Sequence, residues 1–158
     1  MTPSAYNNNF QLVQTRDSVA ILNEQAHDVR IVPLDGRPHL PADIRQWRGD
    51  GRGHFEGNTL VNETTNYTDR TNFQGSGQHM VLIERFTRVA PDVLNYQFTV
   101  TDPESFAKPW TAEIPMSRTK GLIYEYACHE GNYGMFGILG AARAQDKAAA
   151  DAAKKGSN

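Results

Sequence analysis

Cysteine is nearly absent from this sequence, and that scarcity excludes two ways of holding a small fold together. The 158 residues contain a single cysteine, Cys128. One thiol can neither close an intrachain disulfide nor build a zinc site of several cysteines. Stability therefore depends on a hydrophobic core. The length predicts one domain over residues 1–158, with about two thirds of the unfolded surface buried.

Excess positive charge and long apolar runs are missing as well. Lys and Arg total 16 against 18 Asp and Glu, for a net charge of −2, without the basic excess that binding to nucleic-acid phosphates requires. No apolar run approaches the roughly 18 residues that cross a bilayer, and the first nine residues lack the basic and then apolar pattern of a signal peptide. The sequence predicts a soluble protein without a nucleic-acid or membrane partner.

What the sequence does contain is a series of short apolar runs in adjacent pairs, separated by turn residues. This pattern is typical of an antiparallel meander. Gly57-Asn58 has the composition of a tight hairpin tip. Residues 34–53 are predicted to form a long loop with one helical turn over 42–47. The predicted strands, besides the one that leads into this hairpin, are 10–15, 19–23, 29–33, 60–66, 81–89, 93–101, 110–116 and 122–129.

Eight or nine short strands must manage their open edges, and closure removes those edges. The fold predicted first is therefore an up-and-down, lipocalin-like barrel, just wide enough for one small ligand. A strongly curved sheet around a terminal helix and a two-sheet sandwich are the alternatives. From about residue 133 to 155 the composition favours a C-terminal helix, whose apolar residues are confined to its first two turns.

The segment from Cys128 to Gly134 is the leading candidate for chemistry, because it lies where a predicted strand gives way to the helix. His129 beside Glu130 can move a proton near neutral pH. A structural interpretation is also open: Glu130 caps the helix and His129 bonds a loop carbonyl. Cys128 is interpreted as a buried, inert thiol.

A second polar group flanks the third predicted strand. His27 and Asp28 are adjacent, so they point to opposite faces and only one of them is expected to act. Arg37 and His39 share a turn that Pro38 stiffens. The alternatives are a packed histidine and a salt-bridged loop. We expect this group and the 128–133 group to meet at one opening, with His129, Glu130, His27, Asp28 and His39 as candidate catalytic residues.

Charged residues also fall on predicted strand faces that are otherwise apolar. Glu84 shares its face with Leu82 and Phe86, and Arg85 lies on the other face. A charge that faces inward must be paired or functional, and a structural Arg–carboxylate pair is the favoured interpretation. The candidate substrate-binding residues are Arg37, Arg85, Trp110, Tyr124, Tyr126 and Tyr133. The histidine spacings match no metal-ligand motif, so no metal or other cofactor is predicted.

Four segments of this chain resemble a group of uncharacterised bacterial proteins that are often predicted to be exported. They are AHDVRIVPLDGRPHLP (26–41), WRGDGRGHFEGNTLVNETT (47–65), ERFTRV (84–89) and ACHEGNYG (127–134). The resemblance implies export as an expectation and no chemistry. Members of the group usually carry an N-terminal segment similar to Asp-Leu-Ser-Gly-Ile-Trp. Its absence predicts a short form and leaves closure of the barrel open.

These features lead to three functional hypotheses. The first is an enzyme that performs cofactor-free acid–base chemistry on a small organic molecule, as a lyase, isomerase or hydrolase. The second is a non-catalytic, lipocalin-like binding protein for a small apolar or carboxylated ligand. The third is a structural module that oligomerises, as a homodimer, through an open sheet edge or the Ala-rich helix.

Overall fold

The computed structural model describes residues 8–26, 28–127, 129–130 and 133–156. For residues 154–156 it describes the backbone and not the side chains. The described part of the chain is mainly β and ends in a helix, which confirms the predicted class. The elements in chain order are β1 (Phe10–Gln14), β2 (Ser18–Asn23), β3 (Val29–Pro33), β4 (Asp50–Glu56), β5 (Thr59–Thr65), β6 (Val81–Ala90), β7 (Val93–Thr101), β8 (Trp110–Ser117) and α1 (Gly134–Gly156).

The strands form two antiparallel sheets. Strands β1, β2 and β3 make a three-stranded sheet, and strands β4 to β8 make a five-stranded meander in chain order. The closed barrel that the sequence predicted is not found in the described residues. Strands β3 and β4, which a barrel would have to pair, belong to different sheets and are separated by the long loop 34–49.

The ninth predicted strand, at residues 122–129, is also not formed over its described part, residues 122–127 and 129. Strand β8 is the edge of its sheet, and Pro115 within it has no N–H to offer a further strand. This segment has the alternation of apolar residues that predicts a strand, but it has no neighbouring strand to pair with in the described part of the chain. The predicted helical turn over 42–47 is wrong too, since that segment forms hydrogen-bonded turns.

The two sheets bury their apolar faces in one shared core. Alternate residues of each strand point inward, as the period of two requires. Phe10 of β1 contacts Phe86 of β6 edge to face, with ring centroids 6.2 Å apart. The buried members of the core are Val19, Ile21, Val32, Leu60, Tyr67, Met80, Phe86, Tyr96, Phe98 and Val100. The three-stranded sheet thus packs on the five-stranded sheet.

The chain divides into two compact units, Met1–Glu125 and Tyr126–Asn158. The first unit contains both sheets, and the second contains helix α1. The apolar residues of the first helical turns are exposed: Met135, Phe136, Ile138 and Leu139. No helix in the described part of the chain is long and apolar enough to span a membrane. One domain over residues 1–158 stays a prediction.

Candidate functional site

A cavity of about 330 Å³ opens between the two sheets of the first unit. Five of its fourteen described lining residues are aromatic: Tyr67, Phe73, Tyr96, Phe98 and, on the loop before β4, Trp47. Its polar lining residues come from both sheets and from loops: Asn23, Gln25, Arg30, Arg48, Thr71, Asn72 and Glu84. We call this cavity the inter-sheet pocket.

The floor of the inter-sheet pocket is a buried ion pair. Arg30 of β3 donates two hydrogen bonds to Glu84 of β6, Nη1 to Oε2 at 2.7 Å and Nη2 to Oε1 at 3.0 Å. The Tyr96 hydroxyl donates to the same carboxylate at 2.8 Å, and the Asn62 amide donates to it at 2.9 Å. With 1% of its side chain exposed, Glu84 accepts four hydrogen bonds.

Strand register explains why these groups meet. Asn62 lies directly opposite Glu84 on β5 and β6, and Phe86 lies opposite Tyr96 on β6 and β7. All of these side chains occupy inward positions of the five-stranded sheet. Arg30 has the same parity as the buried Val32 on β3, so it reaches across from the other sheet. The pair therefore connects the two layers. The sequence predicted a buried Arg–carboxylate pair but not the strand that supplies its arginine.

The ionisable groups of the floor have pKa values far from neutral pH, so they do not change protonation there. Burial alone would raise the pKa of Glu84, but the Arg30 charge and the hydrogen bonds from Arg30 and Asn62 outweigh it and lower that pKa to about 2. Burial would lower the pKa of Arg30, and Glu84 raises it instead. Burial and the Glu84 charge raise the pKa of the phenols of Tyr67 and Tyr96.

Acid is expected to destabilise the fold through Glu84. Because the pKa of Glu84 is about 2 in the folded protein and 4.5 in a free side chain, the carboxylate stabilises the fold fully above pH 4.5. That contribution is lost as the pH falls towards the folded pKa. Melting temperatures of the native protein and of Glu84→Gln, measured from about pH 6 to about pH 2, test this. The gap between them should narrow in acid, and a constant gap would contradict the assignment.

The end of the loop 34–49 contributes two exposed residues to the lining of the pocket. Trp47 and Arg48 lie at its end, and both are more than half exposed. Arg48 pairs with Asp28 of the other layer at 2.6 Å. Asp28, one of the predicted catalytic residues, is thus engaged in an ion pair beside the mouth. Of the two residues in this ion pair, only Arg48 lines the inter-sheet pocket.

Side-chain hydrogen bonds, exposed or partly buried, hold this loop in place. The side chain of Asn66, which has a φ of 56°, donates to the carbonyls of Leu40 and Pro41 at 3.0 Å and of Ile44 at 3.1 Å. Arg45 donates to the carbonyls of Tyr67 at 3.0 Å and Gln78 at 2.8 Å. A long loop with so many anchors can present Trp47 in a fixed position.

His39 lies on the outer face of β4 and β5, where it is clamped between two carboxylates. Its Nδ1 is 2.9 Å from Oδ2 of Asp50, and its Nε2 is 3.3 Å from Oε1 of Glu63. Asp50 is buried and also accepts from the Leu40 amide and from Arg52. These contacts anchor the start of the loop to the sheet. His39 is not among the residues that line the inter-sheet pocket.

The other predicted binding residues of the first unit do not line the inter-sheet pocket. Arg37 pairs with Asp35 on an exposed turn, and Arg85 pairs with Glu56 on the outer face of the five-stranded sheet. Trp110 is packed in the core against Phe73, with centroids 6.1 Å apart, instead of lining a wall. Tyr124 is 72% exposed and lies along a separate, more open groove beside β1 and β8.

The remaining predicted residues lie in the second unit or outside the described residues. His129, Glu130 and Tyr133 are exposed, and Tyr126 is about one third exposed. His27 and Cys128 lie outside the residues that the structure describes. The expected meeting of the 27–39 group with the 128–133 group stays a prediction, as does catalysis by His129 and Glu130.

Comparison with known proteins assigns no function. No family model, curated protein or solved structure matches the chain. Within the described residues, no group of three or more His, Cys, Asp or Glu side chains is placed to hold a metal ion. The geometry of the inter-sheet pocket therefore carries the functional conclusion.

None of the predicted site residues that the structure describes lines this pocket. For one of its lining residues the sequence did carry a signal. Asn23 has the same parity on β2 as the buried Val19 and Ile21, so a polar amide stands at an inward position. Tyr67 follows β5 in a loop and gives no periodic signal. Its burial is a consequence of the loop 34–49, since Gln46 forms a bridge with it.

Proposed function

We propose that this chain binds a small organic molecule in the inter-sheet pocket without transforming it. The observation that carries the proposal is the pocket itself: an aromatic wall over a floor whose charges are already paired. Its volume of about 330 Å³ falls in the range of small-molecule sites, which are apolar clefts with a few fixed polar groups. Tyr67, Tyr96 and Phe98 are buried, so the wall is rigid before a ligand arrives.

The chemistry of the lining favours binding over acid–base catalysis. An efficient proton-transfer group has a pKa near the working pH. Glu84 stays ionised down to about pH 2, and the phenols of Tyr67 and Tyr96 stay protonated well above neutral pH. No histidine is found among the lining residues that the structure describes. These groups can fix and orient a ligand, but they do not exchange protons with it.

Filling the pocket is expected to abolish binding. Leu82 lines the pocket on β6, and Leu82→Trp places a large ring inside it. Weak binding of single-ring compounds such as benzamide and toluene, measured by ligand-observed NMR, should fall by at least about tenfold, which corresponds to about 1.4 kcal/mol. Val89→Trp is the matched control, because Val89 lies on the same strand and is exposed.

A second variant keeps the test decisive if Leu82→Trp unfolds the protein. Asn72 is an exposed residue at the rim of the pocket, and Asn72→Trp covers the mouth without entering the core. Thermal melts establish which variants are folded. Equal binding by the native protein, Asn72→Trp and Val89→Trp would place the compounds elsewhere and overturn the proposal. Failure of the native protein to bind any of the compounds would overturn it as well.

A further inference from the structure

Asn23 contributes a side-chain amide to the lining of the inter-sheet pocket, without a hydrogen-bond partner among the described residues. Asn23 is 9% exposed and lines the cavity at the end of β2. Its backbone N–H donates to the carbonyl of Asp28 at 2.9 Å. Its side chain makes no hydrogen bond to any residue that the structure describes. Its polar atoms are not among the buried, unsatisfied ones of the described residues, so the amide is open to the cavity and can hydrogen-bond a ligand there.

The polar groups of the floor are engaged with one another, and the Asn23 amide beside them is not. Arg30 has both of its terminal nitrogens on Glu84, and the Tyr96 hydroxyl is on the same carboxylate. The Tyr67 hydroxyl is hydrogen-bonded to Thr64. The Asn23 amide offers an N–H donor beside a C=O acceptor in one plane. The complementary ligand edge has an acceptor beside a donor, as in a carboxamide or a ring lactam.

The walls and the charge balance define the rest of the ligand. Tyr67, Phe73 and Phe98 present aromatic rings to the cavity, and Trp47 lies at its mouth. Aromatic rings stack favourably on flat ligands. The ion pair on the floor is already neutral as a unit, so burial of a charged group there would carry an uncompensated desolvation cost.

We propose that the inter-sheet pocket recognises an uncharged planar ring that carries an amide-like edge, with Asn23 making the paired hydrogen bonds to that edge. This inference rests on the proposed binding function and adds the chemical class of the ligand. It assigns Asn23 as the specificity-determining residue, and it assigns the aromatic side chains as the platform that accepts any flat ring.

A comparison of three single-ring probes tests the ligand class. Benzamide has the amide edge, toluene has the ring alone, and benzoate has the ring with a negative charge. The native protein is expected to bind benzamide about tenfold more tightly than toluene, the effect of a pair of hydrogen bonds worth about 1 to 2 kcal/mol. Dissociation constants from NMR titration give the ratio. Benzoate is expected to bind more weakly than benzamide.

Substitution of Asn23 connects the preference to this residue. Asn23→Leu keeps the approximate shape and removes both polar atoms, so the benzamide preference should disappear while toluene binding is retained. Asn95→Leu is the matched control, because Asn95 occupies the outer face of β7. Its benzamide preference should equal that of the native protein.

The outcomes separate this inference from the function on which it rests. Equal binding of benzamide and toluene, tighter binding of benzoate, or a preference that survives Asn23→Leu would overturn the ligand class. In each of these cases, loss of binding in Leu82→Trp or Asn72→Trp would still support the pocket as a binding site. Binding of all three probes that neither pocket variant weakens would overturn both.

Discussion

Arg30→Met is expected to lower the free energy of unfolding by about 3 to 5 kcal/mol, the range found when one partner of a buried ion pair is removed. The variant leaves Glu84 charged in an apolar core with 1% of its side chain exposed. Hydrogen bonds from Tyr96 and Asn62 remain, but they are neutral donors and do not replace the lost cation. Urea unfolding at neutral pH measures the change.

The same substitution at an exposed pair provides the matched control. Arg37 also bonds a carboxylate, that of Asp35, but the pair lies on an open turn. Water screens such a pair, so Arg37→Met should leave stability nearly unchanged. A similar loss in the two variants would contradict a special contribution from the buried pair, because the two substitutions remove the same charge.

A variant that lacks the charges of both Arg30 and Glu84 shows how much of the loss in a single variant comes from the charge left unpaired. In the double variant Arg30→Met with Glu84→Gln, no charge of the pair remains, and the carbonyl of the introduced glutamine can still accept from Tyr96. We expect the double variant to be more stable than the sum of the two single losses predicts, with a coupling energy above about 1 kcal/mol. Strictly additive losses would show that Arg30 and Glu84 act independently. The pair would then not connect the two sheets energetically.

Gly49→Ala is expected to have the second large effect, a loss of about 2 to 5 kcal/mol. Gly49 has a φ of 69°, where an added Cβ costs about 1 to 2 kcal/mol. The new methyl group would also lie 2.6 Å from Cγ2 of Thr64 and from the carbonyl oxygen of Thr65. Overpacking of this kind adds about 1 to 3 kcal/mol. Thermal and urea unfolding give the value.

Gly57→Ala separates the backbone strain from the overlap. Gly57 has a similar φ, 60°, at the tip of the β4–β5 hairpin, and nothing lies within 4 Å of the added Cβ. Its loss should be confined to about 1 to 2 kcal/mol. Because Gly49 follows directly after Trp47 and Arg48, Gly49→Ala should also weaken probe binding, and Gly57→Ala should not. Equal losses in the two variants would contradict the close packing of the loop end on β5 and Tyr67.

The Arg30–Glu84 pair and Gly49 both hold elements that line the inter-sheet pocket. The Arg30–Glu84 pair fixes one sheet against the other at the pocket floor. Gly49 allows the loop 34–49 to reach the sheet closely enough for Trp47 to line the mouth. In the proposed binding function, a site held in this way is formed before the ligand arrives, which lowers the entropic cost of association.

The sequence alone determined the local structure. Alternation in β2, β6 and β7 defines which side chains face inward, because successive residues of a strand point to opposite faces. Gly57 marks a hairpin because the turn needs a positive φ. The alanine-rich end predicts the helix. Even the need for a partner at Glu84 follows from its parity, since an inward charge cannot stay unpaired in a core.

Only the tertiary structure decided which distant groups meet. Arg30 and Glu84 are 54 residues apart, and nothing local in either segment specifies the other. The division of the strands into two sheets, and the position of the Asn23 amide between them, depend on contacts between surfaces that form only when the layers pack. Periodicity describes one strand at a time. Pairing, closure and cavities are properties of several strands together, so the sequence pattern predicted the eight observed strands, added a ninth that is not formed in its described part, and did not predict the pocket.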